Sequence, residues 1–155
     1  MFDGVLNSGL YITDHLQHGL QSKLPIHALT ITAWFTISEA TLNAGSLIAV
    51  QQEEGHCHKG WSLSYMQFSP HFTTLVFKVA LQADGLISSS AFTTIKVEVE
   101  PPLAVGQWNH IAAIYNGSAL EIYLNGELKG SLRACGNTSC GRIVYPDADT
   151  SVVSE

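Results

Sequence analysis

The stretch GQWNHIAAIYNGSALEIYLNGELKG, residues 106–130, decides the fold. Apolar and polar residues alternate through most of it, as in strands that bury one face only. It contains two Asn-Gly pairs, Asn116-Gly117 and Asn125-Gly126. Asn-Gly tolerates positive φ at both central positions of a tight type I′ hairpin turn. The stretch therefore predicts an antiparallel meander with strands 107–115, 118–124 and 127–132.

The same period of two continues in three other segments: ALTITAWFTI (28–37), TLVFKVAL (74–81) and TIKVEVE (94–100). The first and the last set an apolar face against a polar or mixed face. One face carries Leu29, Ile31, Ala33, Phe35, Ile95, Val97 and Val99, and the other carries Thr30, Thr32, Trp34, Thr36, Lys96, Glu98 and Glu100. In TLVFKVAL, Leu75, Phe77, Val79 and Leu81 share a face, with Lys78 on the other. No stretch beyond a turn or two has helical periodicity. We expect an all-β chain of eight to ten strands, a two-layer antiparallel β-sandwich, in one domain covering residues 1–155.

Composition narrows the classes of partner. The 155 residues are 46% hydrophobic and 13% charged, with a formal net charge of −6. This acidic balance argues against nucleic acid or an anionic membrane surface as a partner. No apolar run approaches the length of a membrane span, so no membrane insertion is expected. A secretory signal is absent from this chain and, in a secreted protein, would lie outside it.

The cysteines indicate an oxidising compartment. Cys135 and Cys140 bracket the turn-rich segment CGNTSC, and we predict a disulfide between them, with Cys57 left over. The acceptor tripeptides Asn116-Gly-Ser and Asn137-Thr-Ser agree with a secretory protein, although such tripeptides also occur by chance.

The segment EEGHCHKGW, residues 53–61, has two interpretations, a metal site and a loop before a strand. A structural zinc site needs four ligands, and this segment supplies too few at the usual spacings. We therefore expect Glu53 to Lys59 to form a rim loop, with a strand starting at Gly60-Trp61. His56, His58 and Trp61 are the candidate ligand-binding residues. Replacing both histidines with alanine is expected to leave thermal stability nearly unchanged.

Glycan hydrolysis is the main enzymatic alternative, and it needs two carboxylates facing each other across a cleft. Glu98 and Glu100 alternate along a strand that ends at Pro101, with no aromatic residue between them. A solvated strand face is the favoured interpretation of this pair. Trp34, Trp61 and Trp108 are sugar platforms only if exposed, and a core position is commoner for tryptophan. His110 is interpreted as a sheet histidine bonded to a neighbouring strand.

Four segments resemble laminin G-like domains of the concanavalin A-like lectin/glucanase superfamily. LTITAWFTI (29–37) is similar to the family's L-T-I-x-A-W strand, and residues 106–130 resemble its W-x-H-[IV]-A to Y-[VL]-N-G stretch. FDGV (2–5) and GWSLSY (60–65) match an opening strand and a G-W-x-L strand. The resemblance implies a concanavalin A-like jelly roll of two antiparallel sheets, carried in extracellular or cell-surface proteins.

The resemblance also implies a function. Members bind carbohydrates or proteins, often with calcium at the sandwich rim, and Asp3, Asp14 and Asp84 are generic calcium candidates. Hydrolases of this fold carry an E-x-[DE]-x-x-E signature, which this sequence lacks. We therefore predict a non-catalytic recognition module for a glycan or an extracellular protein. Its specificity would reside in the segments 52–60, 69–72, 84–91 and 133–150.

Two alternatives remain: a glycan hydrolase or lyase of the same fold, and a structural or assembly domain. After the meander the family usually continues with its final strands, whereas here the sequence reads GRIVYPDADTSVVSE (141–155), which does not match them. This departure predicts a fragment with an unpaired sheet edge, through which the chain would self-associate.

Overall fold

The computed structural model describes residues 24–37, 43–54, 57–68, 70–82, 90–135 and 141–145. These ranges contain eight β-strands and no helix. The strands are β1 (Leu29–Phe35), β2 (Asn43–Glu54), β3 (Cys57–Gln67), β4 (Thr73–Gln82), β5 (Ser90–Val99), β6 (Asn109–Tyr115), β7 (Ala119–Leu124) and β8 (Glu127–Arg133).

The described strands form two antiparallel sheets. The first sheet has the order β1-β6-β7-β8, and the second has the order β2-β3-β4-β5. Both sheets send their inward side chains into one hydrophobic core. The predicted all-β, two-layer antiparallel sandwich is therefore confirmed, and so is the meander, which is β6-β7-β8 with bounds within two residues of those expected.

The predicted alternation places the core. In β6 and β7 every second residue is buried, and the residues between them are half-buried. In β5, Ile95, Val97 and Val99 are buried, whereas Lys96 and Glu98 are exposed. Apolar burial of this kind contributes about 25 cal/mol per Å² removed from water, so the alternation fixes which face of each strand points inward.

The Asn125-Gly126 turn closes the β7–β8 hairpin as predicted. Asn125 has φ of 51° and Gly126 has φ of 86°, the two positive values of a type I′ turn. The left-handed conformation is accessible to asparagine and glycine because the first tolerates it and the second has no Cβ.

The Asn116-Gly117 turn differs from the prediction by one residue. Gly117 has φ of 89°, but Asn116 is not among the described residues with positive φ. Its N–H donates to the carbonyl of Ala119 at 3.2 Å, so Gly117 and Ser118 are the central pair. Asn116 prefers this position because its side-chain oxygen accepts hydrogen bonds from the Ser118 and Ala119 N–H groups at 3.0 and 2.8 Å.

The predicted rim loop from Glu53 to Lys59 is wrong, because strands run through most of it. β2 continues to Glu54 and β3 begins at Cys57, with Glu53 opposite His58 in the register. The polar composition indicated a loop, but backbone hydrogen bonds between paired strands form whatever the side chains are. The segment 52–60 is therefore strand for most of its length.

Residues 141–145 join the second sheet. The Val144 N–H donates to the Ala80 carbonyl at 3.0 Å, and the Gly60 N–H donates to the Val144 carbonyl at 2.5 Å. The register of β3 with β4 ends at Trp61 and Val79, just before this point. The segment thus lies between β3 and β4 where the two strands separate, and Ile143 is buried there.

A buried hydrogen bond from the Leu103 N–H to Thr73 Oγ1, 3.0 Å long, fixes the chain that follows β5. Thr73→Val keeps the shape of the side chain but leaves this N–H buried without its acceptor, so we expect a loss of about 1–3 kcal/mol in the free energy of unfolding. Denaturant titration measures the loss.

Thr74→Val is the matched control, because Thr74 is only half-buried on the outward face and the expected change is within about 0.5 kcal/mol. Equal midpoints for the two valine variants would contradict the role given to Thr73.

Candidate functional site

The outward face of the first sheet carries an aromatic pair. Trp34 on β1 is 66% exposed and lies opposite His110 on β6 in the strand register. The two ring centroids are 5.1 Å apart and the ring planes are tilted by 51°. Glu121 and Tyr123 on β7 belong to the same face. We call Trp34, His110, Glu121 and Tyr123 the tryptophan face.

The alternation of inward and outward residues along β1 places Trp34 on the outward face of the sheet. Ile31 and Phe35 point into the core, so Trp34, which is adjacent to Phe35, points outward. Its position in β1 places it beside His110, because direct cross-strand neighbours lie about 4.5–5.5 Å apart at their Cβ atoms.

The Asn125 turn holds the backbone of His110. The His110 N–H donates to Asn125 Oδ1 at 2.9 Å, and the Asn125 N–H donates to the His110 carbonyl at 2.8 Å. Asn125 Nδ2 also donates to Oδ1 of the buried Asn109 at 3.1 Å. The turn that closes the hairpin therefore also fixes the backbone of His110, whose imidazole lies beside Trp34.

Tyr123 and Glu121 supply the polar part of this face. The Tyr123 hydroxyl donates to Glu121 Oε2 at 2.9 Å. This hydrogen bond to the carboxylate raises the pKa of Tyr123, and burial and the negative charge add to the rise. Tyr123 lies opposite Ala112 and so takes a diagonal position relative to His110. An aromatic surface and a hydrogen-bonding pair thus share one side of the sheet.

A second cluster lies on the outward face of the other sheet. The His58 ring on β3 and the Phe92 ring on β5 have centroids 4.9 Å apart. Lys78 Nζ on β4 lies 5.7 Å from the centroid of the same Phe92 ring, within the range of a cation–π interaction. We call His58, Lys78 and Phe92 the His58 cluster. It places a predicted binding residue in a half-buried setting with defined contacts, not on a loop.

Trp61 lies in the core. It is 7% exposed and belongs to the buried cluster between the sheets. Its ring is therefore not available to stack on a ligand at the surface, which corrects its placement among the binding residues. The core position that the sequence also allowed is the one found, because Trp61 shares its face with Leu63, which is fully buried.

Several predicted residues lie outside the described ranges: His56, Asp3, Asp14, Asp84 and Cys140. The calcium site and the contribution of His56 therefore stay predictions. Because Cys140 is among these residues, the disulfide between Cys135 and Cys140 also stays a prediction. In the described part of the chain, no three His, Cys, Asp or Glu residues come together as metal ligands would.

From the sequence, the core was the commoner position expected for Trp34 and Trp108, but both are exposed in the structure. Trp108, immediately before β6, is 56% exposed. The signal for Trp34 was present in the alternation of 28–37, where it shares a face with three threonines. The partner His110 carried no such signal, because the pairing of β1 with β6 joins segments about 80 residues apart.

The alternating carboxylates of β5 do not face a cleft of described residues. Glu98 is exposed on the outward side of the edge strand, and Glu100 is exposed just after the strand ends. Glu121, on the other sheet, has its carboxylate bonded to Tyr123. The described carboxylates are therefore distributed over separate surfaces.

A comparison with protein families shows which superfamily the chain belongs to. Residues 8–141 match a laminin G family model described as the Concanavalin A-like lectin/glucanases superfamily. The chain belongs to this superfamily. A comparison with curated proteins found no significant match. The superfamily assignment and the two antiparallel sheets agree, and the superfamily includes both lectins and glycosidases.

One further finding concerns membranes: in the described ranges, the chain forms no helix of the length and apolarity that crossing a bilayer requires.

The Tyr123–Glu121 hydrogen bond leads to a prediction about the pKa of Tyr123. In Glu121→Gln the carboxylate charge is lost, so the pKa of Tyr123 should fall back toward its ordinary value. Titration of tyrosine ring signals by NMR, with Tyr123 assigned through Tyr123→Phe, measures the change.

Glu127→Gln is the control, because the Glu127 carboxylate is bonded to Lys129 instead. An unchanged Tyr123 titration in Glu121→Gln would mean that the hydrogen bond does not form in solution.

Proposed function

We propose that this chain is a non-catalytic recognition module that binds carbohydrate through the tryptophan face. The exposed Trp34 ring, held against His110 on a rigid sheet, is the observation that carries this proposal. An exposed indole is costly to leave in water, and large exposed aromatic surface commonly marks a binding site.

The chemistry of a sugar ring agrees with this face. A pyranose presents a patch of C–H groups on one side and hydroxyl groups around its edge. An indole packs on the C–H patch, while polar groups nearby fix the orientation of the hydroxyls. The Tyr123–Glu121 pair lies further along the same face, so a glycan of more than one sugar unit would reach from Trp34 to these polar groups.

The absence of a paired-carboxylate arrangement among the described residues supports binding over hydrolysis. Retaining and inverting hydrolases need two carboxyl groups about 5–10 Å apart around the scissile bond. Of the four residues of the tryptophan face, Glu121 is the one carboxylate, and the strand register places it opposite Ile114, four residues along β6 from His110. A single acid beside an aromatic ring orients a sugar but does not supply both an acid and a base.

An extracellular or cell-surface location and an assisting calcium ion are part of the same proposal. Calcium would be bound by rim carboxylates such as Asp3, Asp14 or Asp84. The superfamily assignment and the predicted disulfide support this setting.

A glycan array, with hits followed by titration calorimetry, tests the proposal. We expect Trp34→Ala to weaken binding of the best glycan by about tenfold or more, as the loss of a central aromatic contact does. Because Trp34 is largely exposed, the variant should unfold at nearly the same temperature as the unchanged protein.

Phe68→Ala is the matched control, since Phe68 is also exposed but directly follows β3 of the other sheet. Each measurement is repeated with a chelator, which separates a calcium-dependent site from one that needs no ion. Full binding by Trp34→Ala would overturn the assignment of the site.

A second candidate function, assembly of copies of this chain, is supported by β8. This strand is an edge of the first sheet among the described strands, and nearly all of its residues are exposed. Leu128 and Leu132 on it are 52% and 38% exposed. Exposed apolar edge strands are templates for pairing with another chain.

Light scattering after size-exclusion chromatography tests this second candidate. If β8 pairs with a second copy, Leu128→Lys should shift a concentration-dependent dimer toward monomer. Ile48→Lys, at an exposed apolar position on the other sheet, should leave the dimer unchanged. A monomer at all concentrations would exclude assembly through β8.

A further inference from the structure

The turn between β6 and β7 has a feature that neither ligand binding nor assembly uses. It presents Asn116 and Ser118, both exposed, in the acceptor tripeptide Asn-Gly-Ser. We propose that Asn116 is a site of N-linked glycosylation, an inference that rests on the proposed extracellular location.

The geometry of the side-chain amide carries this proposal. Asn116 Oδ1 accepts hydrogen bonds from the Ser118 N–H, the Ser118 hydroxyl and the Ala119 N–H at 3.0, 2.9 and 2.8 Å. All three bonds use the oxygen. The amide nitrogen Nδ2 donates to none of the residues that the structure describes, and it is the atom to which the sugar would be joined.

The modification is compatible with the folded turn. An N-linked sugar replaces one hydrogen of Nδ2 and leaves Oδ1 as an acceptor, so the three hydrogen bonds that shape the turn survive. The attached oligosaccharide is bulky and must lie at the surface. The exposed side chain at the end of the hairpin meets this condition.

The group transfer needs a lipid-linked oligosaccharide diphosphate as donor. Nδ2 attacks the anomeric carbon, a C–N bond forms, and the bond from that carbon to the diphosphate oxygen breaks. The lipid diphosphate leaves with the electron pair, and the amide proton passes to a base of the transferase.

The position of Asn116 also separates the glycan from Trp34 and His110. Asn116 follows the last residue of β6, whereas His110 lies near its start. At about 3.3 Å per residue, β6 holds the two sites about 20 Å apart along the sheet. The attached glycan would cover the opposite end of the sheet and leave Trp34 open to a ligand.

The test is expression of the full chain in cultured animal cells, behind a cleavable secretion signal and a tag containing a reporter Asn-Gly-Thr. Treatment with peptide N-glycosidase in heavy-oxygen water converts each glycosylated asparagine into a labelled aspartate, which peptide mass spectrometry locates. A parallel incubation without the enzyme measures the label that spontaneous deamidation of the Asn-Gly pairs introduces, and this amount is subtracted. We expect the label at residue 116 and the loss of one mobility step on a gel in both Asn116→Gln and Ser118→Ala.

Two variants are needed because Asn116→Gln also removes the turn's acceptor oxygen. Ser118→Ala keeps Asn116 Oδ1 and both backbone donors, so it should fold, and Ser118→Thr should retain the glycan. Asn137→Gln removes the other acceptor tripeptide and is the control, because the label at residue 116 should remain in it.

A labelled reporter beside an unlabelled Asn116 overturns the proposal, as does a label that persists at residue 116 in Ser118→Ala. This result is independent of ligand binding. Protein made in bacteria, which carries no such glycan, should bind the glycan array as the secreted protein does. Failure of Asn116 to be modified and failure of the tryptophan face to bind are therefore distinguishable.

Discussion

Burial of the inward face of β6 is the constraint on which the first sheet depends. Its inward residues Asn109, Ile111, Ala113 and Tyr115 are almost completely inaccessible to solvent. The strand pairs with β1 on one side and with β7 on the other. A slip of one residue in either pairing would turn a buried face toward water. The same register that satisfies the core therefore brings Trp34 and His110 together on the outside.

Asn125 shows how one residue serves both the fold and the site. It adopts the left-handed conformation that closes the β7–β8 hairpin, and its side chain accepts the backbone N–H of His110. Its Nδ2 donates to Oδ1 of the buried Asn109, an acceptor that needs a partner in the core, while Asn109 Nδ2 donates to the Gln107 carbonyl. The hydrogen bonds that end the hairpin thus also hold the backbone of His110, and a preorganised surface loses less entropy when it binds.

The two outward faces offer different chemistry. The tryptophan face combines an exposed indole with a phenol–carboxylate pair, whereas the His58 cluster packs a lysine and an imidazole around one phenyl ring. The first has large exposed aromatic area, and the second has its rings half-buried against each other. This contrast favours the first as the ligand surface and the second as support for the sheet. The Asn116 turn lies at the other end of β6 from Trp34 and His110.

The sequence by itself determined the local structure. The alternation of apolar and polar residues predicted the strands and their inward faces in 28–37, 74–81, 94–100 and 106–130. The Asn125-Gly126 pair predicted the turn that it forms. Both properties depend on residues that are close together in the chain. Polar composition predicted a loop at 53–59, where β2 and β3 pair through their backbones. Only the tertiary structure decided that Trp61 is buried, that Trp34 lies against His110 and that His58 lies against Phe92. Those contacts join strands distant in the chain, and their geometry follows from which strands become neighbours in each sheet.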